Sequence, residues 1–175
     1  MQRKFFFCLL FSLLAYGGEN LITNPDFQND FAGWWKNSKQ ISIQTDNAGQ
    51  QYLCCRPDPA HPAQRLIRLL PKISREELAN SLFTLSFQAR ISSLQGVVTV
   101  KIRQMDENEQ SIAYHTVRFC QYDTDPAWQT ITRDYKMHKD TAQIGIYIDF
   151  SYLGENDMFC LKELSLARKE MSQQK

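Results

Sequence analysis

The sequence predicts an all-β fold, a two-sheet antiparallel β-sandwich of the jelly-roll kind with one short helix. Three observations carry this. Apolar and polar residues alternate with a period of two in segment after segment. Turn-forming residues separate those segments at short intervals. A single stretch carries a helix start signal.

Taken in order, the chain opens with residues 1–17, which read as a secretory signal peptide. Arg3 and Lys4 precede an apolar run over 5–14, and Ala15-Tyr16-Gly17 supplies small residues for cleavage after Gly17 or Gly18. The run is too short to span a bilayer, which takes about twenty apolar residues. A buried N-terminal helix or membrane anchor fits these flanks less well. Cys8 lies inside the run, not at its end, so it does not suit lipid attachment. The expectation is a secreted or periplasmic protein with no membrane insertion after cleavage.

Residues 18–168 form the predicted sandwich domain, and 169–175 a polar tail. Early strands are expected at 20–23, 41–45, 52–56 and 65–70. Ser74, followed by Glu77 three residues later, forms a capping box for a helix that can run only to about Asn80. Residues 82–92 put Phe83, Leu85, Phe87, Ala89 and Ile91 on one face. Residues 97–104 do the same with Val98, Val100 and Ile102. The polar connector 106–110 joins this strand to 111–119 as a hairpin. Residues 128–137 and 142–151 follow, the latter with Ile144, Ile146, Ile148 and Phe150 aligned. Residues 157–167 close the domain.

Without Arg3 and Lys4 the chain has one more acidic than basic residue. That balance points to no nucleic acid, anionic membrane or polyanionic substrate. Cys54, Cys55, Cys120 and Cys160 remain after cleavage, enough for two disulfides with three pairings open. Adjacent Cys54 and Cys55 point to opposite faces of a strand and do not suit each other. Some of the four could instead be small buried apolar residues. No Cys-x-x-Cys or Cys-x-x-His spacing suggests zinc, and no cofactor motif occurs.

Four motifs share one family pattern. Asn20-Leu21-Ile22-Thr23-Asn24-Pro25-Asp26-Phe27-Gln28 with Gly33-Trp34 opens the domain. Residues 82–90 match a strand of the form Y-x-L-S-F-x-A-R/K. Trp128-Gln129 begins another strand, and 159–166 resembles a closing strand that carries an Asp-Asp pair. In this order they resemble the CenC-type carbohydrate-binding modules of the galactose-binding-like jelly-roll superfamily. The resemblance implies a non-catalytic module whose partner is a polysaccharide or oligosaccharide. The family often carries a structural calcium between its opening and closing strands. Here the two contributing positions hold Gln28 and Lys162, poor replacements for hard oxygen ligands, so no metal is expected.

Sugar recognition needs flat aromatic faces and planar polar side chains in a groove. Trp34 and Trp128 occupy positions expected to pack the core. The outward residues of three strands are Gln88 and Arg90, Lys101 and Arg103, and Tyr147 and Asp149. These are expected to share one sheet and form an aromatic and arginine-rich ligand-binding surface. Trp35, pointing away from Trp34, is a candidate stacking residue at a loop tip, and Tyr114 a weaker candidate. The bland reading of the same residues is a solvated sheet face with cross-strand charge pairs. His61, His115 and His138 lie on separate segments and no nucleophile or metal motif appears; Asp149 or Glu155 could serve as the catalytic carboxylate of a small jelly-roll lyase or glycosidase, but a surface or turn role suits them better, which argues against an enzyme. A sandwich serving a protein partner, without a sugar ligand, is the alternative.

Overall fold

The computed structural model describes residues 19–71, 73–120 and 123–169. The predicted signal peptide over 1–17, and the tail beyond residue 169, lie outside the described residues. Ten strands and one helix follow in order: β1 (Trp35–Lys36), β2 (Ile41–Thr45), β3 (Gln51–Cys55), β4 (Ala63–Leu69), α1 (Arg75–Leu78), β5 (Leu82–Ser93), β6 (Val97–Met105), β7 (Ser111–Phe119), β8 (Asp125–Lys136), β9 (Gln143–Ser151) and β10 (Met158–Arg168). They form two five-stranded sheets. The first has the order β1-β4-β9-β6-β7, the second β2-β3-β10-β5-β8. All pairings are antiparallel, and β6 and β7 are the expected hairpin.

The alternation sets which side of each sheet faces the other. Val98, Val100, Ile102, Ile146, Ile148 and Phe150 turn inward from the first sheet and are fully buried. Phe83, Leu85, Phe87, Ala89 and Ile91 meet them from the second. Burying each large side chain stabilises the fold by roughly 1.5–3 kcal/mol before entropy is counted. The residues between them necessarily face outward, so each sheet has one solvent-side face.

The opening motif is explained by packing. Phe27 is fully buried against Trp34, with ring centroids 5.7 Å apart. Gly33 adopts φ +76°, and the Arg68 guanidinium occupies the space a Cβ would need. No strand forms over 20–23; a single bridge joins Asn20 to Ala167. The Asn20 side chain takes the place of a ladder there, accepting from Ile22 N at 3.1 Å and Leu166 N at 2.9 Å. The capping box at Ser74 and Glu77 is present, and the helix it starts ends at Leu78.

Cys54 and Cys160 are direct cross-strand partners in the β3–β10 pair and form a disulfide. Cys55 points into the core as a free thiol, and Cys120 is also free. Trp34 is in the core at 7% exposure, as expected. Trp128 is not. It lies on the outer face of the second sheet, against Tyr52 and the disulfide. Ile131 and Tyr135 of the same strand pack inward, and Trp128 lies an odd number of residues before Ile131, which sends it to the other face.

Candidate functional site: the outer face of the first sheet

Register across the five strands assembles this face row by row. The central row runs Trp35, Ile67, Tyr147, Lys101, Thr116 from β1 to β7. On one side lies the row Arg65, Asp149, Thr99, Arg118; on the other, Leu69, Gly145, Arg103, Tyr114. Two depressions adjoin on this surface. One, of about 310 Å³, is lined by Arg65, Lys101, Arg103, Tyr114, Tyr147 and Asp149 among others. The next, of about 510 Å³, shares Arg65, Lys101 and Asp149 and extends to Trp35 and Asn37. Together they cross most of the sheet.

Tyr147 sits at the centre. Its ring lies over Gly145, where an added Cβ would meet Tyr147 Cε2 at 2.7 Å and Leu69 Cδ2 at 3.1 Å. A glycine at this position lets the ring lie down on the sheet. The Arg65 and Arg103 guanidinium carbons are 6.0 and 5.8 Å from the ring centroid, at the outer limit of cation–π contact. Arg103 Nη1 donates to the Tyr147 hydroxyl at 3.0 Å, and Arg103 Nε to Ser111 Oγ at 2.6 Å. Tyr114 OH donates to the same Ser111 oxygen at 2.9 Å. Asp149 is nearly buried and accepts from both neighbours, Arg65 Nε at 2.5 Å and Lys101 Nζ at 2.6 Å. These contacts fix five long side chains in place, so a ligand meets a preorganised surface. Trp35 at 56% exposure and Tyr114 at 57% lie at the two edges.

Residues 19–152 match the model of the CBM_4_9 family, described as a carbohydrate binding domain. The chain belongs to that family. No curated protein sequence matches it significantly. Among solved structures, this carbohydrate-binding domain is similar to the enzymatically active domain of tailspike protein 4 from bacteriophage CBA120, with a TM-score of 0.68 at 10% identity. That match covers 85% of this chain and 21% of the tailspike chain, so the domain spans a minor part of that protein. It is also similar to TmCBM61 in complex with β-1,4-galactotriose, with a TM-score of 0.61 and 14% identity over 86% of this chain and 99% of that one. The CBM22-1 xylan-binding domain of Paenibacillus barcinonensis Xyn10C gives 0.58 and 14%, over 90% and 99%. At these identities the likeness speaks for the shared β-sandwich fold.

Within the carbohydrate-binding domain, the predicted surface residues divide between two faces. Lys101, Arg103, Tyr147, Asp149 and Trp35 come together on the first sheet. Trp35 does so from the edge strand β1, not from a loop tip. Gln88 and Arg90 do not join them. β5 belongs to the second sheet, so their side chains face the opposite side of the sandwich. Alternation gives inside against outside but not which sheet a strand enters. Gln88 Nε2 donates to Glu163 Oε2 at 2.6 Å. The Arg90 guanidinium packs on Tyr52 and Trp128, 5.2 and 4.8 Å from their centroids. Lys162 Nζ lies 4.7 Å from the Trp128 centroid, so two cations already contact that ring. Arg65 was not singled out from sequence, although its strand was; the outward parity within 65–70 would have found it.

The residues at the family's calcium position do not fit that ion. Gln28 is exposed, and Lys162 Nζ donates to Gln50 Oε1 at 2.7 Å. Both Glu163 carboxylate oxygens accept from side-chain amides, of Gln50 and Gln88. The Asp26 carboxyl is pushed up by burial and by the nearby Glu163 charge. Among the described residues, no group of three or more His, Cys, Asp or Glu side chains could hold a metal ion.

A larger depression of about 590 Å³ lies at the loop end, beside the proline-rich segment and Tyr152. Tyr152 is 82% exposed. The Asp58 carboxylate that lines it accepts from Ser38 Oγ at 2.6 Å and lies 3.0 Å from His61 Nδ1, contacts that hold the loop.

Proposed function

We propose that this chain is an exported, non-catalytic glycan-binding module of the CenC type, and that it lays a chain of sugars across the outer face of the first sheet. The observation that carries the reading is the central row, with Tyr147 flat on Gly145 between two guanidinium groups and Trp35 at one end. A pyranose ring has an apolar C–H face that suits the Tyr147 ring, and hydroxyls at its rim that suit arginine, lysine and threonine. Membership of a carbohydrate-binding family supports the same reading. The non-catalytic part draws support from the chemistry of the face. Its depressions are lined by one carboxylate, Asp149, both of whose oxygens are held by cations. Glycoside hydrolysis by the usual route needs two carboxyl groups, one of them able to give a proton.

The test is a glycan array probed with the purified protein beside its Tyr147→Ala variant. Binding to a defined set of β-linked glycans that the variant loses is the expected result. Failure to bind any glycan, with the protein shown to be folded, would overturn the reading and turn attention to protein partners.

A further inference from the structure

Charge on the first sheet's outer face does not follow the near-neutral balance of the whole chain. Arg65, Lys101, Arg103 and Arg118 are brought together by register, against the single carboxylate of Asp149. Asp149 neutralises one positive charge of the Arg65–Lys101 pair, and both its oxygens are taken. Arg103 donates to three neutral oxygens: Ser111 Oγ, the Tyr147 hydroxyl and the Glu109 main-chain carbonyl, the last at 3.3 Å. Arg118 is exposed beyond Thr99. Of the acidic residues in the β6–β7 turn, Asp106 turns its carboxylate back onto Asn108 N and Gln110 N, both at 2.9 Å. A ring stacked on Tyr147 therefore lies in a positive field, with guanidinium groups on either side that match carboxylate geometry.

We infer that the glycan bound here is acidic, a polysaccharide with uronic acid residues whose carboxylates are received by Arg103 and Lys101 beside Tyr147. This rests on the glycan-binding reading above. Two adjoining depressions suit several linked sugars better than an isolated anion. The aromatic residues Trp35, Tyr114 and Tyr147 give the ring contacts that a purely electrostatic surface would lack. Asp149 takes a positioning role, bridging Arg65 and Lys101 beside Tyr147.

The experiment is titration of the purified protein with a β-1,4-linked oligouronate, oligomannuronate, and with the same oligosaccharide fully methyl-esterified, at low salt and at half-molar sodium chloride. The acid form is expected to bind at least about tenfold more tightly at low salt, the worth of one charge-assisted hydrogen bond. Salt should shrink the difference. Arg103→Gln should remove most of the preference, lowering affinity for the acid more than for the ester, whereas Arg133→Gln, on β8 of the other sheet, should leave both affinities and the preference intact. Equal or tighter binding of the ester would overturn the acidic inference and leave glycan binding standing; full preference retained in Arg103→Gln would overturn the assignment of the carboxylate to Arg103. No binding of either form, together with silence on the glycan array, would remove both. Binding of sulfated but not uronate oligosaccharides would overturn the assignment to carboxylates.

Discussion

Asp157 holds the end of the sandwich much as Asp149 holds its face. It is buried, and one of its oxygens accepts from Gln95 N at 2.8 Å, Gly154 N at 2.9 Å and Gly96 N at 3.0 Å. Burial acts to raise its pKa, but these N–H groups and the Ser93 hydroxyl outweigh it and hold the carboxyl below the ordinary 3.8. A depressed carboxyl contributes stability above its unfolded value, and the contribution is lost as pH falls through the lowered folded value. Asp157→Asn is expected to lose roughly 2–3 kcal/mol at neutral pH. The gap to the parent protein should stay constant down to about pH 5 and close in the acid range. Urea unfolding at a series of pH values checks this, and a gap that widens towards acid pH would contradict it. Single residues on the candidate face were legible wherever alternation was clean. Tyr147 and Asp149 lie opposite an unbroken isoleucine stripe, and Lys101 and Arg103 opposite Val98, Val100 and Ile102. Arg90 was not legible, because nothing in its own strand says which sheet that strand enters.

At the scale of elements, β10 shows how a motif encodes geometry. Phe159 and Leu161 face inward, and so do Leu164 and Leu166, with a register shift between Lys162 and Ser165. The Lys162-Glu163 doublet is the bulge that resets the phase, and Glu163 takes φ 53° to make it. The same strand carries Cys160, bonded across to Cys54 of β3 with 106 residues between them. Replacing both cysteines with alanine is expected to cost roughly 2–4 kcal/mol by releasing that long loop in the unfolded chain. An unfolding midpoint unchanged by the double substitution would show that the cross-link contributes nothing. The opposite orientation of Cys54 and Cys55 could be read from adjacency alone. The pairing could not, because it depends on which strands are neighbours. β1 was missed for a different reason: two residues are too few to show a period, and its place is set by pairing with β4.

For the whole molecule, composition and alternation were enough for an all-β sandwich, since period-two segments with short turns have few other ways to bury their apolar faces. They could not decide which of two outer faces is used, and that choice is the functional question. The second sheet carries its own aromatic cluster, Tyr52 and Trp128 over the disulfide, but Arg90 and Lys162 already cover the tryptophan. The first sheet leaves Tyr147 between longer cation contacts and continues in two depressions across its width. The most direct measurement is calorimetric titration of one bound glycan into the parent protein, Tyr147→Ala and Trp128→Ala, each checked for folding. The first-sheet face predicts that Tyr147→Ala loses at least about tenfold in affinity, the worth of a stacked ring, while Trp128→Ala binds as the parent does. Binding lost in Trp128→Ala and kept in Tyr147→Ala would place the glycan on the opposite side of the sandwich and contradict the account.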